Sequence, residues 1–171
     1  AGEHKGAVRA GIDGLWLALG LGAVLGVALW AVSTPLVGFF GTDAGVANQA
    51  VTYLAVSCAG LPAMLVVFAA TGLLRGLQDT RTPLFIATLG FAANALLNWW
   101  FIYGLGWGIA GSAWGTVAAQ WAMVVVYLVV VTVHARRQGA SLLPHRDGLS
   151  SAGRSGGWLF VRTIGLRAAL M

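Results

Sequence analysis

Residues Asn94 to Thr116 read NALLNWWFIYGLGWGIAGSAWGT, and no residue in the stretch is charged. Two apolar segments flank a short glycine-rich turn, GLGWG, which makes them antiparallel neighbours. Helices this apolar need a hydrocarbon environment. Asn94 and Asn98 lie one helical turn apart and therefore share a face. The stretch reads as a membrane hairpin that carries two amides on one side.

The rest of the chain has the same character. Of its 171 residues 58% are hydrophobic and 9% charged, against about 25% charged in ordinary soluble domains. The 25 glycines sit largely in apolar runs too long for flexible linkers, as expected of membrane helices. The net charge of +5 comes from ten basic residues that gather in predicted loops, which argues against a nucleic-acid partner. Cys58 stands alone, so an internal disulfide is excluded. His4, His134 and His145 have no partner ligands in the pattern, and no metal is assigned. With no intramembrane acid or base in the predicted spans, enzyme chemistry has little support.

A bilayer core about 30 Å thick takes roughly 20 apolar helical residues. Four segments qualify, at about 14–37, 47–74, 83–103 and 108–133. The expected fold is an all-α integral membrane protein. Asp13 is a plausible N-cap of the first span. Pro62 predicts a kink in the second, and Thr82 with Pro83 a capped start to the third.

Charge sets the expected topology. Residues 1–13 hold Lys5 and Arg9, the loop at 75–82 holds Arg75 and Arg81, and the remaining basic residues follow His134. The two other loops contain no Lys or Arg, so the basic segments are cytoplasmic by the positive-inside rule. Residues 134–157 form a polar cytoplasmic linker in this reading, and 158–171 begin a further helix. The ends, AGEHKGAVRAG and RAALM, suggest a fragment of a longer protein.

Uncharged polar residues in the spans are costly unless partnered. Ser112, Thr116 and Gln120 recur at spacing four and form one stripe; Asn94 and Asn98 form another. At about 1.5 Å per residue, Asn94 comes level with Thr116 and Asn98 with Ser112. Tyr53 lies near the same depth on the second span. The groups are either interhelical glue or the lining of an outward cavity that holds a ligand or coupling ion.

LLRGLQDTRTP, the hairpin NALLNWWFIYGLGWGIAGSAWGTVAAQ and the opening AGEHKGAVRAG resemble the multidrug and toxic compound extrusion (MATE) transporters, in particular their DinF-like branch. The resemblance implies that the four spans match helices three to six of a twelve-helix, two-lobed fold. It implies secondary antiport in a bacterial inner membrane, with cationic or amphipathic compounds leaving against H+ or Na+. The implied partners are membrane lipids, these substrates and the missing helices of the same polypeptide; no cofactor beyond the coupling ion is expected. Asn94, Asn98 and Thr116 match the family's cation-site positions, except that Asn98 replaces an Asp and supplies neither charge nor proton. The competing expectations are a lipid-linked substrate flippase, which needs a basic cavity, and a noncatalytic membrane scaffold.

Overall fold

The computed structural model describes residues 2–40 and 43–139, together with Gly153. The main elements are α1 (Gly2–Phe39), α2 (Ala44–Cys58), α3 (Leu61–Gly76), α4 (Arg81–Trp99), a π-helical turn (Trp100–Gly104) and α5 (Gly108–Gln138). Three stretches, Gly6–Phe39, Arg81–Gly104 and Gly108–Arg137, are long and apolar enough to cross a membrane, and α2 with α3 makes a fourth span bent by 42°. The bend lies where Pro62 was expected to kink the helix. Leu21, Val24, Trp30, Phe85, Phe91 and Trp99, among many large apolar residues, lie on the outside. A hydrocarbon solvent accounts for such a surface.

The helices run further than the spans. Residues 2–13, expected as a loop, form the first turns of α1, so Asp13 is not an N-cap but lies within the helix at 4% exposure. Val8 and Ile12, one turn apart, explain the extension: at 1% and 3% exposure they join the core with Ala70, Leu73 and Leu74 of α3. The 38 residues of α1 span roughly 57 Å at 1.5 Å each, nearly twice the hydrocarbon thickness. Charge ends the hydrocarbon crossing without ending the helix. At the other end of the chain, α5 continues past Val133 to Gln138 and stops at Gly139, whose φ of 61° and N–H bonds to Ala135 and Arg136 close the last turn. The linker expected from 134 therefore begins later. Most of its remainder, and the helix start expected at 158–171, lie outside the described residues.

Packing differs between the two halves of the bundle. Large side chains of α1, α3 and α5, with Leu15, Val66, Val124, Tyr127 and Val131 buried, form the core toward the basic ends. The hydroxyls of Thr71 and Tyr127 are 2.9 Å apart there, joining α3 to α5. Toward the uncharged ends the contacts of α5 pass through Gly111, Ala113, Gly115 and Ala119, all buried. The small-residue face of α1 at GAVLG, residues 22–26, meets the bent span: a Cβ on Gly22 would collide with the Pro62 backbone, and one on Gly26 would lie 2.8 Å from the Cys58 carbonyl oxygen.

The α3–α4 turn is a double cap. The Asp79 N–H reaches the Leu74 carbonyl and the Gln78 N–H the Arg75 carbonyl, both at 2.9 Å, which is a Schellman closure. Its left-handed position, normally Gly, is held by Gln78 at φ 64°. Asp79 Oδ1 then accepts the Thr82 backbone N–H at 3.0 Å. Asp79, rather than Thr82, supplies the capping oxygen of α4, because the helix begins two residues earlier than the proline implied. Hydrogen bonds from the Thr82 hydroxyl, and next from its backbone N–H, hold the Asp79 carboxyl below its usual range.

Two outcomes are expected. Gln78→Gly, by removing the left-handed cost, stabilises the chain by about 1 kcal/mol, read as a higher thermal unfolding temperature in detergent. Because the Asp79 pKa is depressed in the folded state, its contribution is complete above the unfolded value of about 3.9 and is lost as pH falls through the lower folded value. The stability advantage of the wild type over Asp79→Asn is thus constant near neutrality and shrinks in acid, as unfolding curves across pH will show.

Candidate functional site

Asn94 and Asn98 occupy successive turns of α4, and the structure joins them directly. The Asn98 Nδ2 donates to Asn94 Oδ1 at 2.9 Å. The bond lies within one helix, so it does not tie α4 to a neighbour. Asn98 nevertheless meets α5 closely: its backbone N lies 3.0 Å from where a Cβ on Gly115 would stand, and its carboxamide oxygen would collide with that Cβ. Glycine at 115 is what admits the amide into the α4–α5 contact.

Having entered, the Asn98 Oδ1 is buried and meets no hydrogen-bond donor among the described residues. A buried carbonyl oxygen without a donor costs roughly 1–3 kcal/mol. Thr116, one position from Gly115, does not relieve it, because its hydroxyl donates to the Ser112 carbonyl of its own helix at 3.0 Å. Such back-bonding is the usual retreat of threonine in an apolar helix. Ser112 and Thr116 therefore flank Gly115 at the level of Asn98, with Thr116 turned back on α5. Neither neutral amide of the pair titrates, so the arrangement offers oxygen ligation and hydrogen bonding without charge.

Gln120 and Tyr53 fall elsewhere. Gln120, the third member of the predicted α5 stripe, lies over Gly60 in the break between α2 and α3, where a Cβ would collide with its Oε1. The predicted α5 stripe is thus divided, with Thr116 bonded within its own helix and Gln120 set against the bent span at Gly60. Tyr53 is 40% exposed on α2. A cleft of about 370 Å³ at the uncharged end is lined by Asn48, Gln49, Thr52 and residues 106–110, and another of about 330 Å³ by Trp16, Val66, Trp121 and Val124 among others. Neither is lined by the amide pair.

Sequence reasoning missed the partners that organise these contacts. The indole N–H of Trp121 donates to the Ala59 carbonyl at 3.1 Å, and Thr71 meets Tyr127; both link helices. Gly115, which seats Asn98, is the other such partner. Its place three residues after Ser112 and one before Thr116 was the available signal, since close approach of a polar side chain needs a missing one opposite.

The family described as MatE matches residues 1–100. The chain belongs to the MatE family. Protein DETOXIFICATION 42 of Arabidopsis thaliana is 38% identical over 92 residues, covering 50% of this chain and 18% of that protein. The multidrug resistance protein PmpM of Pseudomonas aeruginosa is 29% identical over 104 residues, covering 61% of this chain and 22% of that protein. The MatE chain thus spans about a fifth of the length of these relatives.

Solved structures agree in fold. An outward-facing multidrug resistance MATE transporter of the MOP superfamily aligns with a TM-score of 0.63 at 21% identity, covering 87% of this chain and 40% of that one. A MOP superfamily transporter from Pyrococcus furiosus, described as having a binding pocket of reversed polarity, aligns at 0.61 and 20% identity over 87% of this chain and 39% of that one. The MatE chain is accordingly a multi-pass, all-helical membrane protein with the architecture of part of such a transporter.

The glycine seat yields a direct expectation. In Gly115→Ala the new Cβ meets Asn98 backbone as well as its side chain, so α4 and α5 must separate. Overpacking of this kind costs about 1–3 kcal/mol, seen as a lower unfolding temperature; Gly72→Ala, in α3 where nothing lies within 4 Å, serves as the comparison and unfolds no lower than the wild type.

Proposed function

We propose that this MatE chain is part of the first lobe of a DinF-like secondary antiporter in a bacterial inner membrane, exporting cationic or amphipathic compounds against inward H+ or Na+. Its basic ends, with Arg75, Arg81, Arg136 and Arg137, face the cytoplasm in this reading. Family membership and the resistance role in the name of PmpM support export. Asn94, Asn98 and Thr116 are the cation-site candidates, with Ser112 alongside.

The observation that carries the reading is the buried Asn98 oxygen without a donor. Glue would place that oxygen on a donor of the adjoining helix, whereas among the described residues the Asn98 amide bonds to Asn94 within α4. An unsatisfied carbonyl oxygen in an apolar bundle is relieved by an O–H donor, such as a carboxylic acid, or by a desolvated cation. Because Asn98 brings no charge, a bound Na+ needs its countercharge from another part of the polypeptide. The coupling chemistry is then a shared one, with the amides selecting and orienting and a carboxylate elsewhere neutralising.

Reconstitution of the parent polypeptide into liposomes tests this. Under an imposed Na+ or H+ gradient, Asn98→Ala is expected to lower coupled efflux of an organic cation at least about tenfold, a loss of some 1.4 kcal/mol in coupling, while helix content and unfolding temperature stay near wild type. Unchanged efflux, or a loss matched by unfolding, would return the pair to a packing role.

A further inference from the structure

We infer that the Ala59–Gly60 break is a hinge, about which α2 swings relative to α3, and that Trp121 of α5 is its latch. The inference rests on the break itself and does not depend on the transport reading.

The sequence builds the break. Pro62 has no N–H to offer the Cys58 carbonyl four residues earlier, so the helical ladder is interrupted at that point. The chain answers with tight turns, in which the Ala59 N–H bonds the Val56 carbonyl at 3.0 Å and the Gly60 N–H the Ser57 carbonyl at 2.9 Å; the ladder resumes with the Met64 N–H on Gly60 at 2.8 Å. Backbone left free in hydrocarbon must be met by a neighbour. The Ala59 carbonyl is met by the Trp121 indole N–H at 3.1 Å.

Around this point the contacts are smooth. On one side stand Gly22 and Gly26 of α1, against Pro62 and the Cys58 carbonyl; on the other, Gln120 lies across Gly60 itself. Surfaces built of glycine permit close approach without interlocking side chains, so they resist rotation weakly. Among these contacts the directional one is the Trp121 bond.

The two arms are held unequally. On α3, Ala63, Val66, Ala70, Leu73 and Leu74 are all buried, whereas on α2 the buried residue is Cys58. The arm that moves is therefore α2, the one that carries Asn48, Gln49, Thr52 and Tyr53. Swinging it changes the width of the cleft at the uncharged end, which Asn48, Gln49 and Thr52 line on one side and residues 106–110 on the other. Loss of the latch raises the open population without affecting the α1–α3–α5 core.

Cys58 provides the readout, since it is the single cysteine of the chain and is 5% exposed at the end of α2. Its labelling by a maleimide is measured on the full chain in nanodiscs, for the wild type, Trp121→Phe and Thr71→Val. Trp121→Phe keeps the ring but loses the donor. Thr71→Val removes the hydroxyl contact with Tyr127, a link between α3 and α5 away from the break. The expected result is labelling about three- to tenfold faster in Trp121→Phe and unchanged in Thr71→Val. Unchanged labelling in Trp121→Phe, or equal acceleration in both variants, overturns the latch.

Hydrogen exchange on the unmutated chain gives a second measure that needs no variant to fold. The amides of Ala59, Gly60, Leu61 and Ala63 are expected to exchange faster than those of Val66 to Leu74. Equal protection across the two groups overturns the hinge.

Discussion

In hydrocarbon every backbone N–H and C=O needs a partner from the protein, and this constraint governs each departure from helix in the bundle. At the middle of the second span a proline removes one N–H, and an indole from α5 supplies a donor to the adjoining carbonyl. At the end of α4 the chain widens into a π turn, and the Trp107 N–H reaches back to the Phe101 carbonyl at 3.1 Å before α5 begins. Gly111 lies against that same Phe101 carbonyl. In both places the irregular backbone depends on α5, through the Trp121 indole at one and Gly111 at the other.

The same constraint explains how much of the fold was legible. Four crossings, their order and the bend at Pro62 follow from apolar run length and from a missing N–H, both of which are written in the sequence. The ends of the helices were not. Charges at Lys5 and Arg9 mark where water begins, yet helix continues through them because Val8 and Ile12 find a partner in α3, and that partner is remote in sequence. The cap on α4 was misassigned for a similar reason: Thr82 before Pro83 has the composition of a cap, while Asp79 has the geometry.

The candidate site was readable in membership and unreadable in contact. Spacing four identified Asn94 with Asn98, and Ser112 with Thr116 and Gln120, as residues sharing faces. Axial depth set Asn98 level with Ser112, whereas the structure places it against Gly115, three residues further along α5, because the π-helical turn and the loop are not straight continuations of either helix. Periodicity does not reveal where a side chain spends its hydrogen bonds. Thr116 turns to its own backbone, the two amides bond to each other, and Gln120 serves the bent span instead of the hairpin. Asn98 and Gln120 each lie against a glycine, at 115 and at 60, and a missing side chain announces itself weakly in a chain with 25 glycines.

The neutrality of the amide pair has an electrical consequence. A membrane potential does work on charge, about 2.3 kcal/mol per elementary charge for each 100 mV crossed. Asn94 and Asn98 carry none at any pH, so rearranging the pair itself within the bilayer is nearly silent to voltage. An ion resting on the Asn98 oxygen would feel the field in full. The charge moved through this part of the molecule is then that of the passenger, and the seat contributes none of its own.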